Sequence, residues 1–415
     1  MTSIPGSQFD ATAPGQPLVV VVTKDPSTLP PTVPGAFNLE VLDYDPPVPD
    51  NGYQGLAVLG PGGTSITLVT GKFAIQDKAT GGQVDTITAL GDDETISAGP
   101  GNNDVLIAQG KGVVVIGGGQ DTITLYGEQE TVYGVGDDLI TVLGSENYVE
   151  AGSGDDTIYV FSGNFHTVVG GSGNSLIDIF APDSGVFGGS GHDTINLFGL
   201  GDGYIGGSGS DQINVFGSGN FIELGVGYDT VTLYAPGNIV LVTPQIGEDD
   251  EETSGNQLII GYGGGEYIED DGYGFDTIIA YGSNNTIFGS LGGGILSVTG
   301  SYDAVTGGGN DTVNLTGSFE SFVAGDGNIT DVVSVIGGFF TFIDAAGAPD
   351  VYHDTVIGFD QAVGDRISIE GTNTESYALA NSTQVNSGQD TLITLDNGST
   401  ILLKGVSQFD SGFFG

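Results

Sequence analysis

The chain has no cysteine, no tryptophan, one methionine and only 6 lysines and arginines in 415 residues. Without cysteine there is no disulfide framework, no thiol catalysis and no zinc–thiolate site. The few cations face 53 acids, for a formal net charge of -47. No basic face can neutralise phosphates, so nucleic acid is excluded as a partner. Anionic lipid is excluded on the same ground. No run of about 18 apolar residues occurs, so no membrane span is expected.

No lysine or arginine lies between Lys111 and Arg366, a stretch that holds most of the acids. Mean hydropathy is +0.10 and aliphatic residues recur regularly, which argues against disorder. External cations are therefore expected to bind there. Residues 1–50 hold Pro5, Pro14, Pro17, Pro26, Pro30, Pro31, Pro34, Pro46, Pro47 and Pro49, a density that suits an extended arm. Within it the apolar patch Val19–Val22 could pair with a sheet edge. The opening MTSIPGSQFD has no basic start and no apolar core, so it does not read as a cleaved secretory signal.

Glycine is abundant, at 75 residues, without the every-third spacing of collagen. From about residue 80 the chain repeats. An acid follows a glycine turn at Asp85, Asp104, Asp121, Asp138, Asp156, Asp193, Asp211 and Asp229, with Ser175 in register between Asp156 and Asp193. The acidic insertion EDDEE at 248–252 intrudes, and reads as a solvated loop. The pattern then resumes at Gln257, Asp276, Gly294, Asp311, Asp331 and Asp354. A period near 18 residues means a solenoid.

Two residues after each anchor stands an aliphatic residue, from Ile87, Leu106 and Ile123 through to Val313, Val333 and Val356. Alternation continues with Leu125, Val142, Val160, Ile179, Leu197, Val215 and Leu233, so each anchor opens a short strand. A second strand follows half a period later, opened by Glu94, Glu130, Asn147, Asp202, Asn220, Asn238, Asn285, Asp303 and Glu320. Each coil is thus two nonapeptides, and stacked coils form two parallel sheets back to back. Tyr126, Phe161, Phe180, Phe198, Phe216, Tyr234 and Tyr281 recur one residue past the first strand's core. A stacked ladder in the core or at a corner is expected of them, in preference to a sugar platform. His166, His192 and His353 read as solvated turn residues rather than ligands.

The turns before the first strand read GGSGHD at 188–193 and GGSGSD at 206–211. The relaxed form G-x-G-x-D ends at Asp121, Asp138, Asp156, Asp193, Asp211, Asp229, Asp276 and Asp311. Here the sequence resembles the RTX family of glycine-rich nonapeptides, G-G-x-G-x-D-x-U-x. The resemblance implies a right-handed parallel β-roll whose turns bind Ca2+ between successive coils. The ligands would be those eight aspartates, with the turn glycines Gly189, Gly191, Gly207 and Gly209. Calcium takes 6–8 oxygens, which two stacked turns can supply together. Ser175 should weaken its site. The second edge, with Asn or Glu in the acid's place, should be mostly ion-free, its asparagines stacked as an amide ladder.

The implied organisation is all-β: a proline-rich arm over 1–50, an N-terminal β cap over 51–79, a calcium-binding β-roll over 80–345, and a C-terminal cap over 346–415. Segments such as DTVIGFD at 354–360 and the tail QFDSGFFG resemble the family's cap and its uncleaved type I secretion signal. That resemblance implies export to the medium or cell surface through type I secretion machinery.

Function is legible only to class. A calcium-binding structural protein of a surface layer, filament or biofilm scaffold is expected, associating end to end or laterally. A calcium-dependent adhesin or glycan binder shares every feature. An enzyme is not expected: HExxH and G-x-S-x-G are absent, the repeat has no cation for a lyase site, and its aspartates belong to turns. The interrupted outward threonines, such as Thr122/Thr124 beside Gln212/Asn214, fit an ice-binding face poorly.

Overall fold

The structure is a computed structural model. It describes residues 84, 86–98, 103–243, 255–324, 329–344, 351–369 and 373–415, with the backbone of a few strands elsewhere. Asp85, most of the proline-rich segment and residues 247–251 of the acidic insertion lie outside the described residues. The chain divides into two compact units, Met1–Gly203 and Tyr204–Gly415. Each is a parallel β-solenoid of coils close to 18 residues long.

In the first unit, the strands Thr86–Ala89, Val105–Ala108, Thr122–Leu125, Leu139–Val142, Thr157–Val160, Leu176–Ile179 and Thr194–Leu197 pair in parallel, each with the next. A second sheet runs from Thr95–Ser97 through Val114–Ile116, Thr131–Tyr133, Tyr148–Glu150 and Thr167–Val169 to Gly185–Phe187. The register puts like beside like: Ile123 lies between Leu106 and Ile140. The expected inward residues, Ile87, Leu106, Ile123, Ile140, Ile158, Ile177 and Ile195, are all fully buried, facing Ile96, Val115, Val132, Val149 and Val168 of the other sheet. Burial of each such side chain contributes about 1.5–3 kcal/mol.

Strand pairing also reaches back before residue 80. Ser65–Leu68 pairs with Thr86–Ala89, and Phe73–Asp77 with Thr95–Ser97. Gly55–Leu59 joins Phe73–Asp77 in parallel. Leu18–Thr23, which contains the apolar patch, pairs in parallel with Phe37–Asp43 of its own chain.

The second unit repeats the plan. Its first sheet runs from Gln212–Val215 through Thr230–Leu233, Leu258–Gly261, Asp276–Tyr281, Gly294–Ser301, Thr312–Ser318 and Val332–Gly338 to His353–Ile357. Its second sheet runs from Phe221–Leu224 to Arg366–Ile369. His353–Ile357 then pairs with Thr400–Lys404, on which Asp390–Thr394 and Ser382–Val385 build an antiparallel meander. An open sheet edge is thereby covered. The only α-helix among the described residues is Glu375–Ala380, capped by the Thr374 side chain. The C-terminal QFDSGFFG packs back on this region, with Phe413 buried against Phe359 at 5.7 Å.

The aromatic ladder stacks, but outside the core. Ring centroids are 5.3 Å apart for Phe161–Phe180 and 4.4 Å for Phe180–Phe198. In the second unit Phe216, Tyr234, Tyr262 and Tyr281 stack at 4.7, 5.8 and 5.3 Å. These rings are exposed, so the core placement does not hold: they stand one residue past the inward strand positions, on the outward phase. Within each run a ring's faces meet its neighbours, so the run presents mostly ring edges to solvent. Of the outward aliphatics, Leu139 and Ile295 are exposed, while Leu176 and Leu258 are half-buried.

Two glycines separate the demands of conformation and space. Gly219 has φ of +71° with nothing within 4 Å of an added Cβ. Gly227 has φ of +147°, and a Cβ there would lie 1.3 Å from the Gly209 carbonyl oxygen. Gly227→Ala should therefore destabilise the second unit by at least about 2 kcal/mol. Gly219→Asn, which keeps a residue tolerant of positive φ, should cost less than about 1 kcal/mol. Urea unfolding at fixed calcium would check both, and equal losses would refute the close-approach argument.

Candidate metal-binding turns

Each first-strand anchor turns its side chain into the coil rather than out. Asp121, Asp138, Asp156, Asp193, Asp211, Asp229, Asp276 and Asp311 are all at most 5% exposed. At most rungs one carboxylate oxygen of the anchor accepts the backbone N–H of the preceding coil's anchor. Asp104 donates to Asp121 Oδ1 at 3.0 Å, Asp121 to Asp138 Oδ1 at 2.8 Å, and Asp138 to Asp156 Oδ1 at 2.7 Å. Ser175 donates to Asp193 Oδ1 at 2.7 Å, and Asp211 to Asp229 Oδ1 at 2.8 Å. Asp311 donates to Asp331 Oδ1 at 2.8 Å. At some coils the second oxygen takes a turn amide, as where Gly118 N–H donates to Asp121 Oδ2 at 2.9 Å. The anchor aspartates are thus first a ladder that satisfies strand-opening amides.

The second edge is built the same way, which the sequence did not announce. Glu94, Glu130, Asp202, Glu266, Asp303 and Glu320 are buried, at 2% exposure or less. The asparagines do not stack amide on amide as expected. Their carbonyl oxygens reach backbone amides instead: Glu130 N–H donates to Asn147 Oδ1 at 2.8 Å, and Asn220 N–H to Asn238 Oδ1 at 2.9 Å. A side-chain amide one coil away is too short to reach its counterpart and the strand amide together, and the buried N–H takes precedence. His166 also belongs to this ladder and is buried, contrary to the solvated reading. Its Nδ1 faces the Asn147 N–H at 3.4 Å and its Nε2 the Ser162 carbonyl at 3.1 Å. Burial holds its pKa below the usual value, so it is neutral. His192 and His353 are exposed.

Neutral members of the ladders show what the acids lack. Gln257 accepts the Asp229 N–H at 2.7 Å and donates its amide to the Gly227 carbonyl at 3.0 Å. Asn147 likewise donates to the Gly127 carbonyl at 3.3 Å. An acid in the same place turns an oxygen, not an N–H, toward such a carbonyl. Accordingly, buried oxygens of Glu94, Glu130, Asp156, Glu266, Asp276, Asp303, Asp311, Glu320, Asp331 and Asp354 have no protein partner. A Cβ built on Gly127 would meet Gly110 O at 1.9 Å and Glu130 Oε1 at 2.8 Å. Built on Gly317, it would meet Gly300 O at 1.7 Å and Glu320 Oε1 at 2.6 Å. On the first edge a Cβ on Gly117 would sit 3.2 and 3.3 Å from Asp138 Oδ2 and Asp121 Oδ2. These are oxygen-lined places where glycine lets a neighbouring carbonyl or carboxylate approach the turn closely.

Such places fit a hard cation, since every donor is oxygen. Among the described residues no three acidic or histidine side chains converge on one point, so carbonyls must complete any ligand set. The expected ligand glycines have the needed conformation: φ is +100° at Gly189, +147° at Gly191 and +155° at Gly209. The Gly207 carbonyl points at Gly225, 2.0 Å from where its Cβ would be. Asp211 departs from the pattern, because the buried Tyr204 hydroxyl donates to its Oδ2 at 2.7 Å. A phenol there does what an ion would do elsewhere. Ser175, also buried, supplies only a hydroxyl.

Burial raises the acids. It lifts Asp138 to about 7, with help from the charges of Asp121 and Asp156. Asp331 rises to about 8 through burial and the Asp354 charge. On the second edge burial carries Glu94 and Glu130 to about 8, and Asp202, Glu266 and Glu320 to about 7. An acid raised in the folded state stabilises it fully below its unfolded pKa and loses that contribution as pH rises through the folded value. In chelator, stability should therefore fall between about pH 4.5 and pH 8. Glu130→Gln, which can donate toward Gly110 as Asn147 does toward Gly127, should gain about 1 kcal/mol at neutral pH and flatten the slope. Thermal melts across pH in chelator would read both, and a melting temperature that climbs from pH 5 to pH 8 would contradict the ladder. Comparison with known protein families finds no match to this chain, and a search of curated proteins finds none.

Proposed function

We propose that the protein is an extracellular calcium-binding structural protein that folds on binding the ion and assembles at the cell surface or in the matrix. The observation that carries this reading is the set of buried carboxylate oxygens that no protein donor satisfies. The described repeat between Lys111 and Arg366 has no cationic side chain to meet them. Calcium at millimolar level outside the cell meets that demand with the right charge and donor preference. The turn motif and its resemblance to RTX repeats support calcium in particular, and export through type I secretion machinery with it.

Assembly is supported by the surface. In each unit the comb of exposed aromatic edges gives an apolar stripe suited to lateral contact between copies. The adhesin reading would need ring faces for sugar stacking, and neighbouring rings cover those faces. End-to-end strand addition through Val19–Val22 competes with its pairing to Phe37–Asp43.

Far-UV circular dichroism and electron microscopy on the same sample test the proposal. In chelator at neutral pH the chain should be largely unfolded. In millimolar calcium it should gain β-structure and form sheets or filaments. A β-rich spectrum in chelator at pH 8 would overturn calcium-coupled folding. Well-folded, separate particles in calcium would overturn self-assembly.

A further inference from the structure

One turn in the second unit carries an acid that no other described coil uses in the same way. The second-sheet strand Tyr267–Asp270 ends on an aspartate, and the turn that follows leads to the anchor Asp276. In several other coils the residue in that place is alanine, as at Ala98, Ala151 and Ala324. Asp270 and Asp276 are each 1% exposed. Asp270 Oδ1 accepts the Gly272 N–H at 3.0 Å, and Asp276 Oδ1 accepts the Gln257 N–H. The other oxygen of each, Oδ2, receives no N–H or O–H from another residue.

Both acids belong to the one turn, and Asp276 is a charged neighbour of Asp270 there. Burial, the Asp276 charge and direct contact with the Asp276 side chain together push Asp270 up to about 8. From the next coil the buried Ser290 hydroxyl lies 2.7 Å from the Gly272 carbonyl and 2.8 Å from the Gly274 carbonyl. One hydroxyl proton cannot serve both carbonyls. Two carboxylates, two carbonyls and a hydroxyl thus converge on one buried turn, all of them hard oxygen donors.

Asp344 supplies the contrast. It occupies the corresponding place at the end of the strand Thr341–Asp344 and is fully buried. There the Tyr352 hydroxyl donates to Oδ1 at 2.6 Å and the Asn373 amide to Oδ2 at 2.8 Å. An aspartate serving only the fold at this position has donors on both oxygens. Asp270 meets a second acid instead.

We infer that Asp270 and Asp276, with the carbonyls of the 271–275 turn and Ser290, form a divalent-cation site for calcium that differs from the other repeated turns in having two carboxylates within one coil. The doubled charge makes it the tightest calcium site of the second unit. It stands on its own two carboxylates, whether or not the other turns bind.

The test is calcium titration of the full chain by calorimetry, with ions counted by native mass spectrometry. Wild type is compared with Asp270→Ala, the residue other coils carry, and with Asp193→Ala in the first unit. Asp270→Ala should fold in calcium and lose one ion, together with the tightest phase, by at least about 100-fold in affinity, which is about 2.7 kcal/mol. Asp270→Asn, which preserves shape, should lose the same phase. If Asp270→Ala and Asp270→Asn keep every ion and the tightest phase, the pair shares a proton and the inference fails. If wild type binds a single ion that Asp270→Ala removes while Asp193→Ala does not, this site stands and the repeated-turn reading falls. Loss of an ion in Asp193→Ala alone gives the reverse.

Discussion

Parallel stacking in register governs everything else in this molecule. A residue placed once in a coil is placed again about 4.8 Å away in the next. Aliphatic positions become continuous columns of core, and aromatic positions become a comb. Acids become columns of negative charge inside the protein. Water screens like charges at a surface, but these carboxylates are buried, so their repulsion and desolvation are felt nearly in full. Where no side-chain donor reaches them, the fold can hold them as neutral acids or beside an external cation.

The two edges solve the same problem with different chemistry. Every strand-opening N–H needs an acceptor from the neighbouring coil, and a side-chain oxygen supplies it. Amide side chains, as at Gln257 and Asn147, answer both the N–H and the facing carbonyl. Carboxylates answer only the first. The choice between Asn or Gln and Asp or Glu at each rung therefore decides whether that rung depends on solution conditions. Tyr204 and Tyr352 show a third answer, a phenol that donates to the buried acid from within the chain.

Much of the fold was legible because its signal is periodic. Alternation of aliphatic residues after each anchor placed Ile123, Ile140 and Ile158 correctly inside, and glycine turns marked the corners. The glycine-turn aspartates were likewise found by spacing. What escaped was geometry within a coil. Glu94 and Glu130 were legible as openers of the second strand, but not that their longer side chains fold inward to accept the Gly91 and Gly127 N–H groups. Asp270 is hidden inside the acidic run EDDG, where nothing separates it from its exposed neighbours. The aromatic ladder was read for its repeat but not for its side, because one residue past the core lies on the outward phase of the strand.

The insertion after residue 243 shows how little the stack asks of its corners. Across it the register continues without a slip: Thr230 pairs with Leu258, and Ile239 with Tyr267. The extra chain leaves at a corner, forms the short antiparallel pair Gln245–Ile246 with Glu252–Thr253, and returns to the same column. Loop closure at a corner grows only slowly more costly with length. A whole folded module could be carried at this point without altering the spacing of the coils on either side. The solenoid thus offers a graftable display site, at a known height along its axis, where new surface can be gained while the scaffold is left as it is.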